Sequence, residues 1–220
     1  MTWSWDFTWQ ILPNLLAGLV VTVQATILGS LLAFTLGLPI AIARFAGGGW
    51  IRWPVAGLTE FVRRTPLLVQ LYVLFYVLPD FGIALSPLTA GVIGLGVHYS
   101  AYAAEVYRAG LESVPKGQWE AAKALNYPLS STFSKVILPQ AIPPMIPAMS
   151  NYVISMFKET PLLSAITVIE LMNAARIAAN ESYRYIEPMT MVGLLFLLVS
   201  FPASLASVGL ERWANRRARD

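Results

Sequence analysis

The sequence lacks cysteine altogether and is poor in charged residues. Of its 220 residues, 12% are charged and 56% are hydrophobic, whereas a soluble domain carries about 25% charged residues. The scarcity of charge excludes an ordinary soluble domain and indicates an integral membrane protein. The absence of cysteine excludes a disulfide framework and thiol chemistry, and it leaves the redox compartment open.

Other absences concern basic residues, nucleotide-binding motifs and histidine. No Lys or Arg precedes Arg44, which is unlike the basic start of a cleavable signal peptide. No G-x-x-x-x-G-K-[ST] loop occurs, so we do not expect this chain to bind ATP itself. His98 is the only histidine. Because a metal site needs several ligands, we interpret His98 as a hydrogen-bonded structural residue, with a proton relay or a ligand as the alternative.

Apolar segments make up most of the chain. A membrane-spanning helix needs roughly 20 predominantly apolar residues, and the hydrophobic pattern predicts an all-α integral membrane protein with about five such helices. The predicted spans are residues 11–43, 65–83, 88–107, 141–163 and 189–210. Three tryptophans within residues 1–10 suit the headgroup region of the membrane.

Small residues recur at intervals of four in the first and third predicted spans. Such stripes let helix backbones approach closely in lipid. They comprise Ala25, Gly29, Ala33, Gly37 and Ala41 in the first span, and Gly96, Ser100 and Ala104 in the third. Hydroxyl groups at Thr22, Thr26 and Ser30 lie on a neighbouring face of the first span. We expect them to bond mainly to their own helix, the alternative being a polar pathway.

One polar stretch, residues 108–140, interrupts the apolar pattern and predicts a helix-turn-helix finger. Pro115 suits the first turn of a helix, and Asn126 tolerates the left-handed conformation that often ends one. A second short helix is expected to start at Ser130 or Ser131 and to end before Pro139.

The first helix of this finger carries small residues that permit close approach by another protein. We expect Ala121, Ala122 and Leu125 to lie close together beside Trp119, with Glu120 and Lys123 offering charge. The finger is therefore a candidate docking element. The alternative is a solvated loop that merely connects two spans.

Two further polar segments and one polar helix face complete the pattern. Residues 44–64 read as a polar connection whose three glycines form a flexible turn, and residues 167–180 as a helix at the far interface or one that dips inward to shape a gate. Polar groups inside a span normally face a bundle interior or a water-filled path. The candidate substrate-pathway residues in the fourth span are Asn151, Ser155, Lys158 and Glu159. The alternative is that Lys158 and Glu159 mark the far membrane surface.

The distribution of basic residues predicts the orientation. With five spans, twelve of the 15 Lys and Arg residues fall on one side and three on the other. Because cytoplasmic loops carry the excess of positive charge, the finger and the basic tail, residues 212–220, are predicted to be cytoplasmic and the N-terminus external.

Several motifs in the chain resemble those of a known family of membrane proteins. Glu120-Ala121-Ala122, followed by Asn126 and by Val136-Ile137-Leu138-Pro139, resembles the EAA loop of permease subunits of binding-protein-dependent ABC importers. Other stretches resemble the polar amino acid (His/Glu/Gln/Arg) branch of that family: residues 64–70, 104–108, 113–118 and 138–141. The chain as a whole is also similar to permeases for ectoine and hydroxyectoine.

Three positions depart from the family pattern. Asn126 stands where Gly is usual, Arg64 where a small residue often precedes Thr-Pro, and Glu159-Thr160-Pro161 where an Asp-Thr-Ser-like sequence is found. Asn can adopt positive φ, so the turn is expected to survive. The other two departures bear on substrate detail.

The resemblance implies a type I (MetI-like) permease fold over residues 11–211, in a multi-pass protein of the bacterial inner membrane. It implies an ATPase dimer, a related but non-identical second permease and an external solute-binding protein as partners, with ATP and Mg on the ATPase and no cofactor, metal or catalytic residue in this chain. The implied substrates are polar amino acids or amino-acid-like compatible solutes, with ectoine or hydroxyectoine favoured. The residues implied to couple the permease to the ATPase are Glu120, Ala121, Ala122 and Asn126.

Two other classes of function stay open at the level of sequence. An ion-coupled secondary transporter would ordinarily need more spans or internal repeats, together with coupling-ion groups near the midplane. A non-transporting membrane scaffold would need the finger for docking but no polar pathway.

Overall fold

The computed structural model describes residues 3–217, and every regular element within that range is helical. Nine α-helices follow one another in these residues, and three of them are continued by π-helical or 3-10 turns. The helices are α1 (Trp5–Ala46), α2 (Gly49–Arg64), α3 (Leu67–Tyr72, continued by Val73–Val77 and Leu78–Phe81), α4 (Pro87–Glu112), α5 (Lys116–Ala124), α6 (Leu129–Thr132, continued by Phe133–Ile137), α7 (Leu138–Glu159, continued by Thr160–Ile166), α8 (Leu171–Ser182) and α9 (Ile186–Arg217).

Helix α1 is the longest element, and it contacts α2, α4, α7, α8 and α9. Its 42 residues at about 1.5 Å each give roughly 63 Å, about twice the thickness of the hydrocarbon core. The hydroxyl of Ser4 accepts a hydrogen bond from the N–H of Phe7 and caps the N-terminus. The helix therefore begins inside the predicted N-terminal segment and contains the first predicted span.

The length and hydropathy of the helices identify the candidate membrane spans. Within residues 3–217, α1 and the Ile186–Trp213 part of α9 each satisfy both criteria. Two bent pairs, Gly49–Arg64 with Leu67–Phe81 and Leu129–Ile166 with Leu171–Ser182, satisfy them jointly, with bends of 101° and 50°. The candidate number of spans is thus two to four by this measure, and five spans stays a prediction. Of the predicted basic tail, residues 218–220 lie outside the described residues.

The small-residue stripes line the contact between α1 and α4. All five small residues of the α1 stripe and all three of the α4 stripe are buried. A Cβ added at Gly37 would lie 2.8 Å from the Cβ of Ala103 and 3.1 Å from the carbonyl oxygen of Ser100. The predicted close approach of helix backbones is confirmed at this contact.

The prediction that the hydroxyl groups of α1 bond to their own helix is confirmed only in part. The Thr26 hydroxyl donates to the carbonyl of Thr22 at 2.8 Å, as expected for a group that bonds to its own helix. The Thr22 hydroxyl instead accepts from the N–H of Leu171 at 3.2 Å, so it joins α1 to the start of α8. These hydroxyls serve helix packing.

Three apolar clusters form the core. The first joins α1, α3, α4 and the turn after α7 around Leu71, Leu95 and Leu163. The second joins the N-terminal half of α1 to α8 and α9 around Leu15, Leu171 and Val192. The third lies under α5 and is described with the site. The helical bundle thereby holds α7 between α1, α4 and α9.

The segment between the first two predicted spans is a helix, which corrects the expectation of a polar connection. Residues 49–64 form α2, and the turn is confined to Gly47 and Gly48, where the N–H of Gly47 bonds to the carbonyl of Ala43 at 3.2 Å. The four arginines of residues 44–64 made this segment read as a loop. In the structure α2 turns mainly apolar side chains outward and polar ones toward the protein.

Helix α8 occupies most of the segment predicted to lie at the far interface. Glu170 is fully buried at its N-terminus, where the carboxylate accepts hydrogen bonds from the N–H groups of Met172 at 2.9 Å and Asn173 at 2.7 Å. These bonds satisfy two of the free donors at the helix start. Ala174, Ala175 and Ala179 face the protein, and Arg176 is exposed.

Candidate docking loop and transport pathway

The finger predicted at residues 108–140, called the docking loop from here on, rests on an apolar base. Val114, Ile137, Ala141 and Met145 are buried together beneath it. The ring of Trp119 lies 5.4 Å from that of Phe133 and 6.1 Å from that of Phe45 at the end of α1. The loop is therefore fixed against both α1 and α7, not suspended between two spans.

The turn of the docking loop has the predicted left-handed residue. Asn126 has φ of 53°, its N–H bonds to the carbonyl of Lys123 at 3.0 Å, and the N–H of Tyr127 bonds to the carbonyl of Ala122 at 3.1 Å. These bonds close the end of α5 in the manner of a left-handed C-terminal cap. The prediction that Asn126 supports the turn is confirmed.

The residues implied to act in coupling are divided between two faces of α5. Ala122 is 2% exposed and faces the base, whereas Glu120, Ala121 and Asn126 are exposed. The expected grouping of Ala121, Ala122 and Leu125 is wrong for Ala122, which faces the base, while Ala121 and Leu125 are four residues apart and share the exposed face. Successive residues on a helix are about 100° apart, so adjacent alanines cannot share one face.

The tip of the docking loop exposes Leu125, which sequence reasoning named, together with Tyr127 and Leu129, which it did not. Leu125 is 67% exposed and Leu129 is 71% exposed, and Tyr127 lies between them in sequence. Polar residues surround this tip. A small apolar patch with a polar rim is typical of a protein interaction site.

The second helix of the docking loop differs from its prediction. It begins at Leu129 after Pro128, with no side-chain cap from Ser130 or Ser131, and it runs through Pro139 into α7. The intervening turn, Phe133–Ile137, is π-helical. Proline has no N–H and cannot form the hydrogen bond from residue i to residue i−4. A π-helical turn before it accommodates that missing bond. The second helix of the docking loop and α7 are therefore one continuous helix.

The four candidate pathway residues lie along one side of α7. Asn151, Ser155 and Lys158 are exposed, and Glu159 is half-buried. The Ser207 hydroxyl of α9 approaches the side-chain oxygen of Asn151 at 3.5 Å. The predicted shared face is present, and in the isolated chain most of it has no protein covering.

Glu159 ends this face against a cluster of tyrosines. The hydroxyl of Tyr99 donates to its carboxylate at 2.9 Å. The rings of Tyr99, Tyr102 and Tyr152 lie with centroids 5.6 to 6.0 Å apart, and the guanidinium of Arg63 lies 5.3 Å from the centroid of Tyr102. This hydrogen bond and cluster bind α4 to α7, and sequence reasoning did not identify them.

His98 has the structural environment expected of it. Its side chain is buried, and its Nδ1 lies 3.3 Å from the Gln70 side-chain oxygen. The Gln70 nitrogen donates to the carbonyls of Val62 at 2.8 Å and Thr65 at 3.1 Å, so its oxygen is the acceptor and Nδ1 is the donor. His98 thereby holds the corner between α2 and α3. Within residues 3–217 no cluster of three or more potential metal ligands occurs.

An ionic network centred on Glu105 joins three helices near the docking loop. The carboxylate of Glu105 pairs closely with Arg44 of α1, with Arg63 of α2 at 3.3 Å and with Arg108 of α4 at 2.9 Å. Arg108 also pairs with Glu112 at 2.6 Å. The partners stand up to 61 residues apart in the chain, which is why the sequence did not indicate the network.

This arrangement resembles that of known membrane transport components. Residues 33–219 match the family described as binding-protein-dependent transport system inner membrane component. A protein of Sinorhizobium fredii, named "Probable amino-acid ABC transporter permease protein y4tG", is 46% identical over 208 residues, covering 91% of this chain and 90% of that protein. The L-cystine transport system permease protein TcyB of Bacillus subtilis is 36% identical over 214 residues, covering 96% and 92%.

Solved structures have the same fold. The crystal structure of an amino acid ABC transporter with histidines contains a chain that superposes with a TM-score of 0.89 at 33% identity, covering 96% of this chain and 99% of that one. An inward-facing MetNI methionine ABC transporter superposes with a TM-score of 0.79 at 20% identity, covering the same shares, and this likeness concerns the fold alone. The predicted all-α, MetI-like permease fold is confirmed. The chain belongs to the family of inner membrane components of binding-protein-dependent transport systems, and it is a transport component rather than an enzyme.

Proposed function

We propose that this chain is a permease subunit of an ATP-driven importer for polar amino acids or amino-acid-like solutes, in the bacterial inner membrane. The observation that carries the proposal is the docking loop, whose exposed apolar tip continues without a break into α7. The names of the relatives support the amino acid class. Ectoine and hydroxyectoine stay predictions that depend on overall resemblance.

The transport pathway is proposed to run along the polar face of α7. Polar side chains inside a bilayer are costly unless they face protein or water. Asn151, Ser155 and Lys158 have little protein cover in the single chain, so a second permease subunit would complete the pathway beside them. Glu159, held by Tyr99, would offer its carboxylate to the ammonium group of an amino acid.

Coupling is proposed to act through the docking loop. Leu125 and Leu129 would insert into a groove on the cytoplasmic ATPase, with Glu120, Ala121 and Asn126 on the same exposed surface. Closure of the ATPase pair on ATP would draw the two loops together. Because Trp119 and Ala122 fix α5 to its base, the loop would move as a rigid unit and pull α7 with it.

The remaining components are assigned to partner chains. ATP and Mg would bind the ATPase dimer, with no cofactor in this chain, and an external binding protein would deliver the solute and set much of the selectivity. The second permease is proposed to be related and non-identical. A conformational change needs a differential interaction with two states, and the ATPase supplies it here.

The test of this proposal is uptake by proteoliposomes that contain this chain with the permease, ATPase and binding protein encoded beside it. Labelled glutamine, arginine, histidine and ectoine are compared with and without internal ATP. We expect ATP-dependent uptake of an amino acid. ATP-dependent uptake of ectoine in its place would narrow the substrate to the amino-acid-like solutes of the proposed class. Uptake without ATP would overturn the proposal and indicate a secondary transporter.

A charge reversal on the docking loop tests the coupling role. Glu120→Lys is expected to reduce ATP-dependent uptake and stimulated ATPase activity while leaving membrane insertion unchanged, because the side chain is exposed and faces the proposed partner. The matched control is a charge reversal outside the docking loop, Arg176→Glu on α8, which is also exposed. Normal uptake by the Glu120→Lys variant would show that Glu120 is not part of the coupling surface. If the unmodified complex assembled normally but transported no solute, the chain would be a scaffold subunit.

A further inference from the structure

Helix α2 presents its apolar side to the outside of the protein. Trp50 is 96% exposed, Trp53 is 76% exposed, Phe61 is 67% exposed and Leu58 is 65% exposed. Relative to Trp50, the other three residues stand at positions i+3, i+8 and i+11, which fall on one side of a helix. The outward face of α2, defined by these four residues, is therefore a continuous apolar surface and not a scatter of single residues.

The inward side of α2 carries its buried and ion-paired polar groups, next to the half-buried Val55, Ala56 and Val62. Thr59 is buried, and Arg63 lies between the carboxylates of Glu60 at 3.0 Å and Glu105 of α4 at 3.3 Å. A helix that turns polar groups inward and large apolar groups outward is reversed relative to a helix of a soluble protein. We expect the outward face to contact lipid hydrocarbon or another apolar surface, because exposing two tryptophans to water would be unfavourable.

The axis of α2 turns by 101° from the axis of the following segment, Leu67–Phe81. If that segment crosses the bilayer, α2 lies nearly in the membrane plane. Arg63, at the end of α2, joins the Glu105 network beside the docking loop. The position of α2 on the cytoplasmic side of the membrane rests on the proposed function, in which the docking loop meets a cytoplasmic ATPase. A helix in this position lies parallel to the membrane surface, at the boundary between the lipid headgroups and the acyl chains.

Two exposed arginines near the ends of α2 complement an anionic surface. Arg52 follows Trp50 by two residues and so stands about 160° from it around the helix, on the polar side, where an interfacial helix carries its basic residues. Arg52 is exposed and forms no ion pair among residues 3–217, and the side chain of Arg64 is 82% exposed. Tryptophan favours the membrane interface, and arginine beside it reaches lipid phosphates. A shallow depression of about 400 Å³ at the start of α2 is lined by Gly49, Trp50, Trp53 and Pro54.

We propose that α2 is an interfacial helix that binds anionic phospholipid of the cytoplasmic leaflet. Trp50, Trp53, Leu58 and Phe61 lie among the upper acyl chains, and Arg52 contacts a headgroup phosphate. Because Arg63 joins α2 to Glu105 of α4, the lipid-bound helix also supports the end of α4 that leads into the docking loop. This assignment does not depend on the identity of the transported solute.

The test uses the absence of cysteine from the chain. Leu58→Cys carries the one thiol of the permease in the complete importer, whose other subunits have no reactive cysteine, and a nitroxide is attached to it. In phospholipid nanodiscs we expect the nitroxide to be accessible to oxygen and protected from a water-soluble nickel chelate. Leu197→Cys on the exposed apolar side of α9 is the lipid-facing control, and Asp80→Cys, an exposed position at the end of the second predicted span, is the aqueous control.

Two outcomes of this measurement would overturn the proposal. Accessibility to the nickel chelate would place the outward face in water. Protection from both reagents would place it against a second permease or another protein. The position is exposed in the chain, so the substitution removes no core contact, and the result is independent of transport activity.

The anionic part of the proposal has its own measurement. A fluorophore on Leu58→Cys is quenched by brominated phosphatidylglycerol or brominated phosphatidylcholine, mixed in turn with the other unbrominated lipid. We expect stronger quenching by phosphatidylglycerol and a preference that falls by roughly fivefold in Arg52→Gln, as expected for one arginine at an anionic surface. Arg176→Gln, an exposed residue of α8, is expected to keep the preference. Equal quenching by both lipids in the unmodified chain would overturn anionic selectivity.

Discussion

Asn126 determines how the docking loop turns back from α5. Its φ of 53° lies in the region that glycine and asparagine tolerate and that costs other residues roughly 1–2 kcal/mol. We expect Asn126→Gly to keep the turn and ATP-dependent uptake. Asn126→Val, with a branched Cβ, is expected to lower both stimulated ATPase activity and uptake while membrane insertion stays normal. Equal activity of the two variants would contradict a conformational role for this residue.

Gly37 tests the packing of α1 against α4. An alanine Cβ at this position would lie 2.8 Å from the Cβ of Ala103, so the helices must separate or the side chains must shift. We expect Gly37→Ala to lower the melting temperature of the purified protein, because overpacking typically costs about 1–3 kcal/mol. The same substitution at Gly193 of α9, where a Cβ would meet nothing within 4 Å, is the control.

That control is expected to be neutral or stabilising, since alanine exceeds glycine by about 1 kcal/mol in helix propensity. Thermal unfolding in one detergent compares the two variants directly. A loss of stability in Gly193→Ala as large as that in Gly37→Ala would indicate that glycine is needed for helix flexibility and not for close approach.

At the level of elements, Glu105 decides whether α1, α2 and α4 stay together at the end next to the docking loop. Glu105→Gln leaves Arg44, Arg63 and Arg108 facing one another without their shared carboxylate. Charged hydrogen bonds of this kind contribute about 1.5–3 kcal/mol each at most, and partial exposure reduces that figure. We expect a clear fall in thermal stability and in coupling of ATPase activity to uptake.

Glu112→Gln is the matched control for this prediction. Its carboxylate pairs with Arg108 alone and is about half exposed, so its loss should change stability by no more than about 1 kcal/mol. Melting temperature and the ratio of solute taken up to ATP hydrolysed are measured for both variants. Equal effects would show that the three-helix network has no special importance.

At the scale of the whole molecule, the sequence predicted those features that local pattern determines. The apolar runs indicated the long helices, the spacing of Ala25, Gly29 and Ala33 indicated the face that is buried, and Asn126 indicated the turn. Each of these depends on residues close together in the chain. The candidate pathway face of α7 likewise follows from helical spacing.

Features formed by distant residues could not be read in this way. Tyr99 and Glu159 meet across 60 residues, and Arg44 and Glu105 across 61. Helix α2 was read as a loop because its arginines were counted without regard to the face they occupy. The passage of helix through Pro139 required the π-helical turn before it, which no residue type in that stretch specifies.

The whole assembly is tested best at Ser155, in the middle of the polar face of α7. Because the chain has no cysteine, Ser155→Cys gives the permease a single thiol, and membrane-impermeant reagents can be added to either side of proteoliposomes. We expect labelling from the cytoplasmic side without ATP. Labelling should move to the external side when a hydrolysis-deficient ATPase holds ATP, because closure of the ATPase reverses access to the pathway.

Leu197→Cys on the exposed apolar side of α9 is the control and should resist the reagents in both states, since it faces lipid. The two positions are both exposed in the single chain, so they differ only in what covers them after assembly. Equal labelling of Ser155→Cys in both nucleotide states would contradict alternating access along α7. Resistance in both states would place this face against protein or lipid, and the pathway would then have to run elsewhere in the assembled importer.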